Sequence, residues 1–181
     1  MRAILTLLTF MTCVAVHAGN IVWSTGSVVL AGNKVVVGDL ARQGAGLLLL
    51  KDAEGAITVF PAHRVNSFRY YDAEQDVNRV FVAVGSRYFE RVVYGKISVL
   101  RIQKFFDQKI DEKHPAAHDY FVEEKKRITT LKSFRKKYFD RIKEELDLRL
   151  VSYRHLDPNT SHGAVSLILL YNKLPSSTVV I

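Results

Sequence analysis

From Trp23 to about Phe105 the apolar residues come in short runs, many alternating with polar ones, and turn-forming residues break them at short intervals. That period of two is the signature of strands with one face buried. "GSVVLAGNKVVVGDL" sets Val28–Leu30 and Val35–Val37 on either side of Gly32-Asn33, a pair that supplies a tight hairpin turn. "GLLLLKDAEGAITVF" repeats the scheme with Asp52 to Gly55 as the connection, and "HRVNSFRYYD" then leads through a polar loop, Asp72 to Asn78, into "RVFVAVG". In that run Val80, Val82 and Val84 alternate with Phe81 and Ala83, so both faces have cover. A third hairpin pairs "RYFERVVY" with "KISVLRIQ" around Gly95.

The pattern changes after Phe106. "DQKIDEKHPAAHD" is polar and interrupted by Pro115, which reads as a loop, with "YFVEE" as one more candidate strand. Beyond Thr129 the period lengthens, and Leu131, Phe134, Tyr138, Phe139, Ile142 and Leu146 fall in one stripe of a helical wheel. "DPNTSHG" breaks that helix and offers Thr160 or Ser161 as the next cap. "AVSLILLYNKLP" is apolar nearly all round and stops at Pro175, which predicts a buried helix too short to cross a membrane. The fold class expected is α+β, mainly β: a small antiparallel barrel or strongly bent sheet of seven to eight strands, followed by two or more C-terminal helices. The glycines that open strands and end turns suit a chain that must bend sharply.

The first residues carry an address. "MRAILTLLTFMTCVAVHA" has Arg2, an apolar run from Ala3 to Val16, and small residues at Val16 and Ala18, which predicts cleavage before Gly19. Residues 1–18 are thus expected to be a signal peptide, residues 19–106 the barrel or bent sheet, and residues 107–181 the loop and helices packed on the same domain. Removing 18 residues from 181 leaves 163, enough for one domain with its own core. The formal charge falls from +8 to about +7 with Arg2. Cys13 is the one cysteine, so the mature chain would have no disulfide, thiolate metal site or cysteine nucleophile. An exported domain without disulfides points to a periplasm or outer cell envelope.

Charge supplies the first candidate site. The stretch from Lys125 to Lys143 holds nine Lys/Arg and one acid, Asp140. Lys125, Lys126, Arg127, Lys132, Lys136 and Lys143 are the candidate polyanion-binding residues, with Lys136–Asp140 and Arg141–Glu145 spaced as ion pairs along a helix. Export excludes nucleic acid as the everyday partner and leaves an envelope protein, an acidic glycan or a lipid surface. The competing explanation is the solvated face of an amphipathic helix. Histidine supplies the second candidate. His114 and His118 in "HPAAHD" have the four-residue spacing of helical metal ligands, although Pro115 interrupts them and no Glu lies between. His155 and His162 flank "LDPNTS", near Asp157. Paired acids, Glu74/Asp76 and Glu123/Glu124, serve a glycosidase only if folding converges them.

No G-x-S-x-G elbow, Walker loop or G-x-G-x-x-G motif is present, and "GAG" at Gly44–Gly46 is a turn between strands. No catalytic residue and no cofactor is assigned from the sequence. The order of parts resembles a broad group of small, largely uncharacterised exported proteins of Bacteroidota. The residues that carry the resemblance are the leader, "GSVVLAGNKVVVG", "VNSFRYYD", "YFERVVYGKISVL", and a last helix ending in Tyr-Asn, "LILLYN". The resemblance implies an envelope location and brings no catalytic residues with it. The expected function is a non-catalytic binding or assembly module for a protein, glycan or lipid surface. The alternatives are a hydrolase or metal-dependent enzyme using histidines of the 114–162 region, and a surface assembly component that interacts through edge strands.

Overall fold

The computed structural model describes residues 21–103, 118–124 and 127–175. Ten strands form one antiparallel sheet: β1 Ser24–Leu30, β2 Val35–Gln43, β3 Leu47–Lys51, β4 Ile57–Pro61, β5 Val65–Asp72, β6 Val77–Val84, β7 Arg87–Val93, β8 Ser98–Gln103, β9 His118–Glu124 and β10 Arg127–Thr130. Two helices follow, α1 Leu131–Leu148 and α2 Ser161–Lys173. The spatial order is β10-β9-β8-β7-β6-β5-β1-β2-β3-β4. Every neighbour is a sequential hairpin except β5 beside β1, so β1 to β4 form a meander that the chain re-enters through the Ala62–Arg64 turn.

The expectation of a mainly β, α+β chain holds, and the finer picture changes. Ten strands replace seven to eight among the described residues, because "YFVEE" does form β9 and "RITT" forms β10. A four-residue strand with Ile128 as its lone aliphatic carries no periodicity to read. The sheet is open rather than a closed barrel: among the described residues its ends, β10 and β4, have no further partner strand in the ladder. The composition break at Phe106 falls between β8 and β9, inside the sheet. The supposed loop Asp72–Asn78 shrinks to a tight turn, since Asp72, Val77 and Asn78 sit within β5 and β6.

Bending has a local cause. Gly26 and Gly38, the first and last glycines of "GSVVLAGNKVVVG", face each other across β1 and β2. A Cβ at Gly26 would lie 2.2 Å from the Arg69 carbonyl oxygen, and one at Gly38 would lie 2.5 Å from that of Lys51. Only glycine permits such close approach, so the first strands curl over on themselves. The curl brings the β2–β3 turn against β7, where the Tyr88 amide donates to the Ala45 carbonyl at 2.7 Å.

Two cores lie along the inner face. The first, within the curl, packs Val28, Leu40, Leu48, Leu50, Phe68, Phe81 and Tyr88. Tyr88 is fully buried, and its hydroxyl donates to the Phe60 carbonyl at 3.1 Å; burial pushes its pKa up to about 12. The second core joins Val93, Val99 and Val122 to Leu131, Phe134, Phe139, Ile142 and Leu146 of α1 and Leu167 and Ile168 of α2. A smaller cluster, Val82, Phe89, Leu100 and Ile102, has alternating neighbours that assign it to the opposite face.

Between the two cores runs a charged belt that only strand register reveals. Arg79 donates to Asp72 at 2.6 Å, to Glu90 at 2.7 Å and to Gln75 at 2.6 Å. Arg101 donates to both oxygens of the same Glu90, at 2.8 and 3.1 Å. Burial pushes the Glu90 carboxyl up, and the bonds and charges of Arg101 and Arg79 outweigh it, leaving the pKa below its ordinary 4.5. Arg79 and Glu90 therefore span the inner face where neither core reaches.

The helices lock onto the sheet by specific bonds. The Thr130 hydroxyl accepts from the Ser133 amide to cap α1, and Thr160 caps α2 by accepting from Gly163. Near the end of α2, Asn172 accepts from the Ile97 amide at 3.0 Å and donates to the Ile97 carbonyl at 2.7 Å. Gly95 makes room for it, since a Cβ there would meet Asn172 at 2.5 Å. The Tyr-Asn ending of "LILLYN" is thus a staple onto the β7–β8 turn. The expectation that α2 is buried on all sides is corrected. Gly163, Ala164, Leu167 and Ile168 are buried, and Leu169 on the far side is 43% exposed. With one sheet face and α1 to cover it, a second helix hides only one flank.

Candidate functional site

A cleft of about 1110 Å³ opens at the end of the curl, bounded by the extended Ile21–Thr25 segment, the end of β2, and the β5–β6 turn. Its floor follows from strand alternation: Leu40 and Arg42 on β2, Phe68 and Tyr70 on β5, all at inward positions. Phe68 stacks on Phe81 with ring centroids 4.7 Å apart and planes 6° apart, and Tyr70 stacks on Phe81 at 5.6 Å. The Arg42 guanidinium lies over the Phe81 ring at 4.7 Å, a cation–π contact. Burial lowers the Arg42 pKa, with Tyr70 and Glu90 acting the other way; a guanidinium remains charged through such a shift. Burial likewise raises the Tyr70 pKa against the pull of Arg42. Asp72 and Glu74 stand at the rim, Asp72 already engaged by Arg79. Trp23 also borders the cleft, its ring packed under the Lys51 ammonium at 4.8 Å. The arrangement offers apolar walls with one positive charge set among them.

Sequence reasoning missed this site. Its signal was present: in "GDLARQ" the alternation that turns Leu40 inward turns Arg42 inward as well, and an arginine at a core-facing strand position calls for an explanation.

The basic candidates fare differently. Lys132, Lys136 and Lys143 do come together along one flank of α1. With Arg135, Phe139 and the Pro158–Asn159 turn they edge a shallow depression of about 340 Å³. Arg135 is committed to the fold, donating to the Pro158 and Asn159 carbonyls at 3.1 and 2.8 Å. Asp140 pairs with Lys143 at 3.7 Å rather than along the Lys136 spacing, and Arg141 meets Glu145 at 3.4 Å as expected. Arg127 is exposed on β10, and Lys125 and Lys126 lie outside the described residues.

His118 opens β9, opposite Gln103, so this member of the histidine pair stands in a strand; His114 lies outside the described residues. Among the described residues no group of three or more His, Cys, Asp or Glu gathers to hold a metal. His155 and His162 are exposed, and the Asp157 carboxylate accepts from the Asn159 amide in a turn. Asp76 takes the Tyr71 hydroxyl just ahead of β6 and Glu123 on β9 meets Arg91 at 3.7 Å, with β7 and β8 between β6 and β9. No helix among the described residues is long and apolar enough to cross a membrane. Searches of family models, curated proteins and solved structures find no match for this chain.

Proposed function

We propose that the chain is an exported, non-catalytic binding module of the cell envelope, working in the periplasm or at the outer surface, and that its ligand sits in the cleft at the open end of the curl. The observation that supports this reading is a cleft lined by Phe68, Tyr70 and Arg42, all three packed on the buried Phe81 ring behind it. Apolar walls with a few convergent polar groups are the general make-up of ligand sites. The ligand class is an amphipathic molecule or chain segment whose apolar part lies against the cleft walls and whose anionic or polar end is drawn by the positive charge of Arg42. Trp23 is the one tryptophan of the chain and borders the cleft, so its emission reports occupancy. Titration with a panel of an oligosaccharide, a fatty acid and an apolar peptide should give saturable quenching with one of them, lost in Arg42→Ala and Tyr70→Ala. A flat response to the whole panel contradicts the reading. Export is tested separately: mass spectrometry of the envelope fraction should find a chain beginning at Gly19.

The lysine flank of α1 favours a second reading, contact with an acidic lipid or glycan surface. Lys132, Lys136 and Lys143 face one depression with Asp140 as the one acid along it. Contact of that kind contributes ~1 kcal/mol per basic residue and weakens with salt. Binding to anionic vesicles that vanishes in the triple Lys→Glu variant supports it.

A further inference from the structure

We propose that β4 is an assembly strand, which pairs antiparallel with β4 of a second copy of this chain about a two-fold axis at Thr58. Backbone parity comes first. The Ala62 amide donates to the Gly46 carbonyl and the Asp52 amide to the Ala56 carbonyl, which fixes the alternation along the β3–β4 ladder. Thr58 and Phe60 therefore direct their backbone groups at β3, and Ile57 and Val59 direct theirs out from the sheet edge.

Among the described residues that edge lacks the usual protections. Natural edge strands are kept from pairing by charges, prolines, bulges or covering segments. Here Pro61 guards one end only. Ile57 and Val59 are 56% and 48% exposed and carry no charge, and Leu47 beside them is 38% exposed.

The strand is complementary to itself. With the axis at Thr58, Ile57 lies opposite the partner's Val59, and Val59 opposite the partner's Ile57. Both outward pairs then exchange their N–H and C=O groups without calling on Pro61. On one face the β-branched side chains pair; on the other Thr58 meets the partner's Thr58, a pairing strands favour. Charge agrees. The same register carries the exposed Asp52–Gly55 turn, with Asp52 and Glu54, beside the partner's Ala62–Arg64 turn, with His63 and Arg64. Two strongly basic chains thus meet at a point where acid faces base. The contact is short, which makes the dimer weak and concentration-dependent.

Sedimentation of the purified chain from micromolar to submillimolar concentration tests this, with thermal melting as the control for folding. The wild type should pass from monomer to dimer. Val59→Lys should stay monomeric at every concentration with its melting curve unchanged. Glu54→Arg and Arg64→Glu should each weaken the dimer, and the two together should restore it. A wild type that stays monomeric throughout, leaving the edge to another protein's strand, overturns the proposal. A dimer indifferent to Val59→Lys and to the charge reversals overturns it too.

Discussion

The two edges of the sheet are finished in opposite ways. At one edge β10 is four residues long, and apart from Ile128 it is Arg127, Thr129 and Thr130. Its last residue caps α1, so the chain leaves the ladder directly into the helix that covers the inner face beside it. At the other edge no α-helix follows β4, only the single 3-10 turn Ala62–Arg64. The chain turns through Ala62–Arg64 and goes back into the sheet as β5. The inner face of β4 is buried through Phe60, but Ile57 and Val59 face solvent. The same short-strand device thus serves two ends. Polar composition blunts the first edge, while exposed β-branched apolar residues mark the second as the one we propose to pair.

The comparison can be broken by truncation. Phe134→Ala at the covered end removes a side chain 3% exposed and packed on Tyr138 and Phe139, and should cost about 3–5 kcal/mol. Ile57→Ala at the open end should change monomer stability by under about 0.5–1 kcal/mol in dilute denaturant titration, since most of the side chain is already in water. Equal losses would mean that the edges are not built differently.

The belt between the cores comes next in size. Glu90→Gln leaves Arg79 and Arg101 facing each other without their shared carboxylate, and should cost about 2–4 kcal/mol. Its sign with pH follows from the lowered pKa. The folded chain holds the Glu90 proton less readily than the unfolded chain does. Stability from this carboxylate is complete above the ordinary 4.5 and is lost as the pH falls through the depressed folded value. Urea titrations at decreasing pH should show the wild type converging on the Gln variant. A variant that remains parallel to the wild type through acid contradicts the assignment.

The staple is smaller. Asn172→Ala strands the amide and carbonyl of Ile97 in a half-buried turn and should cost about 1–3 kcal/mol. Amide exchange in the β7–β8 turn should rise with it. At the smallest end is Leu150, which follows α1 in a left-handed conformation, φ 53°, and is 94% exposed. Leu150→Gly should raise stability by about 0.5–1 kcal/mol, because glycine takes that conformation without the steric penalty.

Much of this architecture is legible in the chain, and the limits have physical causes. The Gly32-Asn33 and Asp52–Gly55 turns announce their hairpins because few residues accept such backbone angles, and Gly32, Asn33 and Gly55 do have positive φ. The α1 stripe is legible because five of its apolar positions are buried. Strand order is not legible, since β5 pairs with β1 across three intervening strands and no local pattern encodes it. Asp72, Arg79, Glu90 and Arg101 read as ordinary polar strand residues until register lines them up. The candidate site divides the same way. The α1 lysines can be grouped on a helical wheel, whereas the cleft needs the curl at Gly26 and Gly38 to bring Arg42 over Phe81.

Amide hydrogen exchange along β4 tests the contrast between the edges most directly, read residue by residue in dilute protein. Thr58 and Phe60 should be protected by β3, and Ile57 and Val59 should exchange rapidly, while the amides of β9, flanked on both sides, stay protected. Raising the concentration should slow Ile57 and Val59 alone. Uniform protection along β4 at dilution would show that its edge is covered, and the account of an open edge would fail.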